Sequence, residues 1–124
     1  MFSPHCTHAM QQHALRDYPN EAIGMVVDGD YLELENVARD KLNSCEWDDR
    51  VPLRYGRSLN ALVHSHPATP DYQNPNIPSP EDQRAQLAWG CPFGIVVCNG
   101  DTAAAPFWWG DGVQKLFGWS PAEM

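Results

Sequence analysis

Read for its hydrophobic and polar positions, the chain breaks into short apolar runs separated by polar joints marked with Pro, Gly and Asn. Residues 4–17 suit a helix, with Ser3 as its cap and Pro4 in its first turn. Tyr18-Pro19-Asn20 would end it. Ala22 to Val27 is apolar with β-branched residues, which predicts a strand. Asp28-Gly29 is a hairpin turn signal, and Tyr31-Leu32-Glu33-Leu34-Glu35 alternates with period two as a return strand would. Residues 39–57 are polar and ambiguous. A short helix near Asp48 to Tyr55 is weakened by Pro52.

Leu59 to His66 predicts a further strand, and residues 67–80 a Pro-rich loop carrying Pro67, Pro70, Pro75, Pro78 and Pro80. A helix then starts at Ser79-Pro80, a favoured cap and first residue, and stops at Gly90. Phe93 to Cys98 is strongly apolar and Val-rich, as a central strand would be. Asn99-Gly100 marks a turn, and Thr102 to Trp109 a last strand. The sum is an α/β fold: one small domain over residues 1–124, a central mixed β-sheet flanked by helices.

Composition narrows the function without naming it. A chain of 124 residues with 43% hydrophobic and 19% charged residues suits a single globular core. The net charge of -8 and eight scattered Lys and Arg offer no basic stripe, so nucleic acid is a poor partner. No apolar run approaches transmembrane length, and the first thirteen residues lack the pattern of a signal peptide, so a cytoplasmic protein is expected. The four cysteines show no C-x-x-C spacing and read as buried free thiols.

The sharpest chemical signal is His64-Ser65-His66. Residues i and i+2 of a strand share a face, so two imidazoles can grip one metal ion, and Asp82, in the first turn of the next helix, can supply a third ligand. Ser65 points the other way and reads as structural. Taken alone the signal is weak. Two such histidines are often surface or satisfied core residues, and Ser79 to Asp82 also reads as a plain capping box. Glu21 by itself reads as a solvated turn carboxylate. Other H-x-H chemistries fit less well. An amidohydrolase barrel needs about 250 residues, the H-E-x-x-H helix of zincins is absent, and no His follows His66. His5, His8 and His13 are expected along a solvated face of the first helix.

The combination is more specific than its parts. Glu21 within Tyr18-Pro19-Asn20-Glu21-Ala22-Ile23-Gly24, then His64-Ser65-His66-Pro67, then Ser79-Pro80-Glu81-Asp82, resembles the signature of the JAMM (MPN-plus, or JAB) metallopeptidase family, in order and over nearly the whole chain. The resemblance implies the MPN/JAB, cytidine-deaminase-like fold. It also implies Zn2+ held by His64, His66 and Asp82, Glu21 as general base, Ser79 as donor to the developing oxyanion, and hydrolysis of a peptide or isopeptide bond. Among members, Leu34 to Ala38 and Phe107 to Asp111 look like phage tail-assembly proteins such as lambda tail protein K. That likeness implies a peptide or protein substrate, with phage tail proteins or an NlpC/P60 peptidase as partners. A catalytically silent assembly module on the same fold is the alternative, and a generic α/β domain with a chance motif the third. One departure stands out: the connection from His66 to Ser79, residues 67–78, is longer than the family's. It brings in Asp71 as a rival third ligand, though Asp82 matches the motif. The cluster Phe107-Trp108-Trp109 is expected in the core.

Overall fold

Ser3 caps the first helix, its Oγ accepting from the Cys6 amide at 3.1 Å. The computed structural model describes residues 2–69 and 75–110. Helix α1 runs Pro4–Asp17 and gives way to an extended Tyr18, because Pro19 disfavours helical backbone in the residue before it. Cys6, Met10, His13 and Ala14 form its buried stripe, at the i, i+4, i+7, i+8 spacing of one face. His5 and His8 are exposed, as expected. His13 is not: it is only 3% exposed. The sequence reading placed it with the other two on a solvated face, but it lies seven residues after Cys6 and so returns to the apolar stripe.

Strands β1 (Ile23–Val27) and β2 (Asp30–Leu34) form the hairpin predicted from Asp28-Gly29. Asp28 and Gly29 both take positive φ, 49° and 85°, the backbone that a two-residue hairpin turn requires. Gly24 faces the Tyr31 ring so closely that a Cβ there would collide with it, which explains a glycine in the middle of a buried strand. After a short helix α2 (Arg50–Leu53) comes β3 (Leu59–Pro67), then α3 (Pro80–Trp89), β4 (Phe93–Cys98) and β5 (Phe107–Trp109).

The sheet order is β2-β1-β3-β4-β5. Only the β3–β4 pair is parallel, joined through α3. The sheet is therefore mixed, with β3 in its middle, and the α/β class read from the sequence holds. Side chains alternate across β3. Ala61 and Val63 pack with Val26, Val96 and the α1 residues Cys6, Met10 and Ala14. Leu62 packs on the opposite face with Met25, Val27 and Phe93, under Trp47, Ala85 and Trp89.

The last strand is shorter than expected. Only residues 107–109 pair with β4. Ala103 makes a single bridge to Cys98, and Pro106, with no N–H to give, precedes the paired stretch. The aromatic run also departs from a uniformly buried cluster. Trp108 turns to the α1 side and meets Phe2 edge-on at 5.1 Å. Trp109 turns to the other side against Phe93 at 5.7 Å. Phe107 is 52% exposed, on the strand that ends the sheet among the described residues. All four cysteines are free thiols; Cys6 and Cys98 are buried, Cys45 and Cys91 only partly so. Among the described residues no helix is long and apolar enough to cross a membrane.

Candidate metal centre

On β3, alternation sends His64 and His66 to the same face as Leu62 and leaves Ser65 facing α1. Ser65 is structural, as the sequence suggested. Its Oγ accepts from the Ala22 amide at 2.8 Å, while its own amide donates to the Ala22 carbonyl at 2.9 Å. This double strap fixes the residue after Glu21 against the strand that carries the histidines. Glu21 itself is 3% exposed. Its amide donates to the Lys41 carbonyl at 2.6 Å, and its carbonyl accepts from Asn36 Nδ2 at 2.8 Å. So buried and so held, it is no solvated turn carboxylate.

Asp82 arrives from α3. Ser79 Oγ accepts from the Asp82 amide at 3.0 Å, and the Asp82 carboxylate accepts from the Ser79 amide at 2.9 Å, completing a reciprocal capping box. The same carboxylate reaches the sheet: Oδ1 lies 3.1 Å from His64 Nε2 and Oδ2 3.1 Å from His66 Nε2. The two imidazole Nε2 atoms are 2.9 Å apart. Capping and convergence on the histidines are thus two uses of one side chain. Asp71, the rival ligand, lies outside the described residues.

The protonation pattern follows from these contacts. Burial opposes a charge on His64, yet the hydrogen bond and charge of Asp82, with the charge of Glu21, outweigh it and raise its pKa. His66 goes the other way: burial, together with the nearby His64 charge, lowers its pKa against the pull of Asp82. Burial would raise the Asp82 pKa, but the hydrogen bonds to His64 and His66 hold the carboxyl well below the usual range. His66 Nδ1 is 3.0 Å from the Pro75 carbonyl. Nδ1 therefore carries the proton and donates it there, which leaves the Nε2 lone pair aimed at His64 and Asp82. One proton on His64 Nε2 then holds the cluster together. Two imidazole nitrogens and a carboxylate brought this close together are a donor set that suits a divalent cation.

His64, His66 and Asp82 place their ligating atoms within 4.8 Å of one another, and so do Glu21, Cys45 and His64. A cavity of about 410 Å³ opens beside them, lined by Glu21, Ser44, Cys45, Ser79 and Asp82 among others. Each residue picked from the sequence, Glu21, His64, His66, Ser79 and Asp82, is thus at or beside one place. Cys45 was not singled out. It belongs to the polar stretch 39–57, which has no periodicity to orient it, and only the fold brings it to the cavity.

A family model for prokaryotic homologs of the JAB domain matches residues 3–110. The chain belongs to that family. The prokaryotic JAB assignment agrees with the mixed five-stranded sheet. Among solved structures, the solution structure of protein DSY2949 from Desulfitobacterium hafniense is similar, at a TM-score of 0.60 and 25% identity, covering 86% of this chain and 82% of that one. No curated protein is significantly similar. A JAB domain with a candidate metal site formed by His64, His66 and Asp82 is therefore in hand.

Proposed function

We propose that this JAB domain is a zinc metallopeptidase that hydrolyses a peptide or isopeptide bond at the His64, His66 and Asp82 cluster. The supporting observation is the convergence of those three side chains at 2.9 to 3.1 Å, with the buried Glu21 beside His64. His64, His66 and Asp82 would hold the ion, three protein ligands with a position left open, as catalytic zinc sites have. When bound, zinc would supply acidification of a water to a pKa of about 7 and polarisation of the substrate carbonyl.

The chain's own groups do the rest. Glu21 takes the proton of the attacking water and delivers it to the leaving amine, and its strapped backbone keeps the carboxylate in reach for both transfers. Ser79 Oγ accepts from the Asp82 amide, which leaves its O–H to donate toward an oxyanion at the cavity wall. Asp82 accepts from the Ser79 amide while facing both imidazoles, so the start of α3 is held against β3. His66 keeps its Nε2 lone pair toward the cluster because Nδ1 is committed to the Pro75 carbonyl.

The substrate we would test first is a phage tail protein, on the strength of the Leu34 to Ala38 and Phe107 to Asp111 likeness, with an NlpC/P60 peptidase as candidate partner. The deciding experiment is zinc content by plasma mass spectrometry, followed by a screen of peptide and isopeptide substrates with Glu21→Gln as control. About one zinc per chain with hydrolysis abolished in Glu21→Gln is the expected result. Zinc bound with no hydrolysis of any substrate, or no zinc at all, would overturn the peptidase and leave a silent assembly module.

A further inference from the structure

Glu21 stands just outside the sheet that organises the rest of the site. Strand β1 begins at Ile23, and in the β1–β2 register Ile23 faces Leu34. Carried two residues further, that antiparallel register sets Asn36 opposite Glu21. The backbone ladder has ended there, and the Asn36 side chain takes its place. Asn36 Nδ2 donates to the Glu21 carbonyl at 2.8 Å and to the Ser44 carbonyl at 3.1 Å. Its Oδ1 accepts from the Ala38 amide at 3.0 Å and from the Glu46 amide at 3.2 Å. A primary amide has two N–H donors and an oxygen with two lone pairs, so the whole capacity of the side chain is in use. Asp has the same shape but no N–H to give.

The partners of Asn36 fall on two parts of one site. Glu21, Ser44 and Cys45 all line the cavity beside the histidines. Both backbone polar groups of Glu21 go to the segment of residues 36–46, the amide to the Lys41 carbonyl and the carbonyl to Asn36. We infer that Asn36 is a positioning residue of the site, locking Glu21 and the cavity wall at Ser44 and Cys45 into one unit. The inference rests on the role of Glu21 proposed above. Asn36 makes none of these hydrogen bonds to His64, His66 or Asp82, so it acts through the base and the wall and not through the metal. A base that must take a proton and then deliver it has to keep its distance through both transfers, and a misplacement of about 1 Å can cost roughly 10²-fold in rate.

The test compares Asn36→Asp with Asn60→Ala. The second variant removes an anchor of the same kind at the other end of the hairpin, where Asn60 Oδ1 accepts from the Gly29 amide at 2.9 Å. In the metal-free protein, Asn36→Asp should speed hydrogen exchange at the Glu21 amide and alkylation of Cys45, both beyond any change in Asn60→Ala. Zinc content should stay at the wild-type level, while kcat falls roughly 10²-fold. A merely structural Asn36 would lower the urea midpoint and leave the exchange, alkylation and kcat no more altered than in Asn60→Ala. Should Asn36→Asp not fold, Asn36→Ala carries the same expectations. Exchange and alkylation at wild-type rates, or an undiminished kcat, would overturn the inference and leave the peptidase standing. Faster exchange and alkylation, in a protein whose wild type hydrolyses nothing, would support the tie between Glu21 and the wall and overturn the peptidase instead.

Discussion

Two buried histidine clusters sit on opposite faces of the sheet, and among the described residues only the one at His64 and His66 gathers a candidate set of metal ligands. On the α1 face, His13 has both ring nitrogens committed. Nδ1 lies 2.6 Å from the Tyr31 hydroxyl and Nε2 3.1 Å from Asp17 Oδ2. Burial pushes the Tyr31 pKa far up, so the phenol stays protonated and donates to Nδ1, while Nε2–H donates to Asp17. Arg16 pairs with Glu33 nearby, and Asp17 is the acceptor for His13. On the other face, His64 and His66 turn nitrogens toward each other and toward one carboxylate. Neither cluster is distinguished by the number of its carboxylates. What separates them is direction: donors meet acceptors around His13, whereas acceptors meet acceptors around His66 until a proton or a cation arrives.

The largest effect that would sharpen this contrast is on metal content. His66→Ala should abolish stoichiometric zinc binding, while His13→Ala should leave it intact; equal losses by plasma mass spectrometry would erase the distinction. Next comes chemistry without ligation. Glu21→Gln should cut kcat by roughly 10²- to 10⁴-fold, as loss of a general base does, with zinc content unchanged. A smaller effect belongs to the α1 side. Tyr31→Phe leaves His13 Nδ1 buried with no donor, at a cost of about 1 to 3 kcal/mol in urea unfolding, with no change in zinc affinity.

The smallest effect depends on pH. His13 has its pKa lowered from 6.5, chiefly by burial, against the raising charges of Glu33 and Asp17. The unfolded chain then binds the proton more readily than the folded one. Its stabilising contribution is complete above about pH 6.5 and is lost as pH falls through the lower folded value. Urea midpoints of the metal-free protein should therefore fall faster between pH 7 and 5 in the wild type than in His13→Gln. His64, whose pKa is raised, acts in the opposite sense in both proteins, so the difference between them isolates His13. Parallel profiles would show that His13 does not titrate differently on folding.

These clusters also show what the sequence could and could not disclose. His64, His66 and Asp82 were legible because strand alternation and a helix cap are local rules, and each side chain's direction follows from its immediate neighbours. Their convergence followed from the family likeness, since nothing local says that α3 returns its first turn to β3. His13 was misplaced because it was read with His5 and His8 instead of with Cys6, seven residues earlier. Cys45 was invisible for a different reason: residues 39–49 form no regular element, so their side chains are aimed by tertiary contacts such as Asn36, which holds both the Glu21 carbonyl and the Ser44 carbonyl. The β5 boundary was overrun because an apolar, aromatic run signals burial more than pairing.

The two-sidedness of β3 sets how this gene can vary. A single-residue insertion or deletion within Leu59–Pro67 would exchange the two faces, driving imidazoles into the α1 core and delivering Val63 and Ser65 to the cavity, so that folding and chemistry would be lost in one event. The connection just after it is under no such rule, since lengthening a loop costs little closure entropy. Lineages descended from this chain should therefore keep the strand's length invariant while the segment between Pro67 and Ser79 grows and shrinks, and it is there that new substrate preferences would have room to arise.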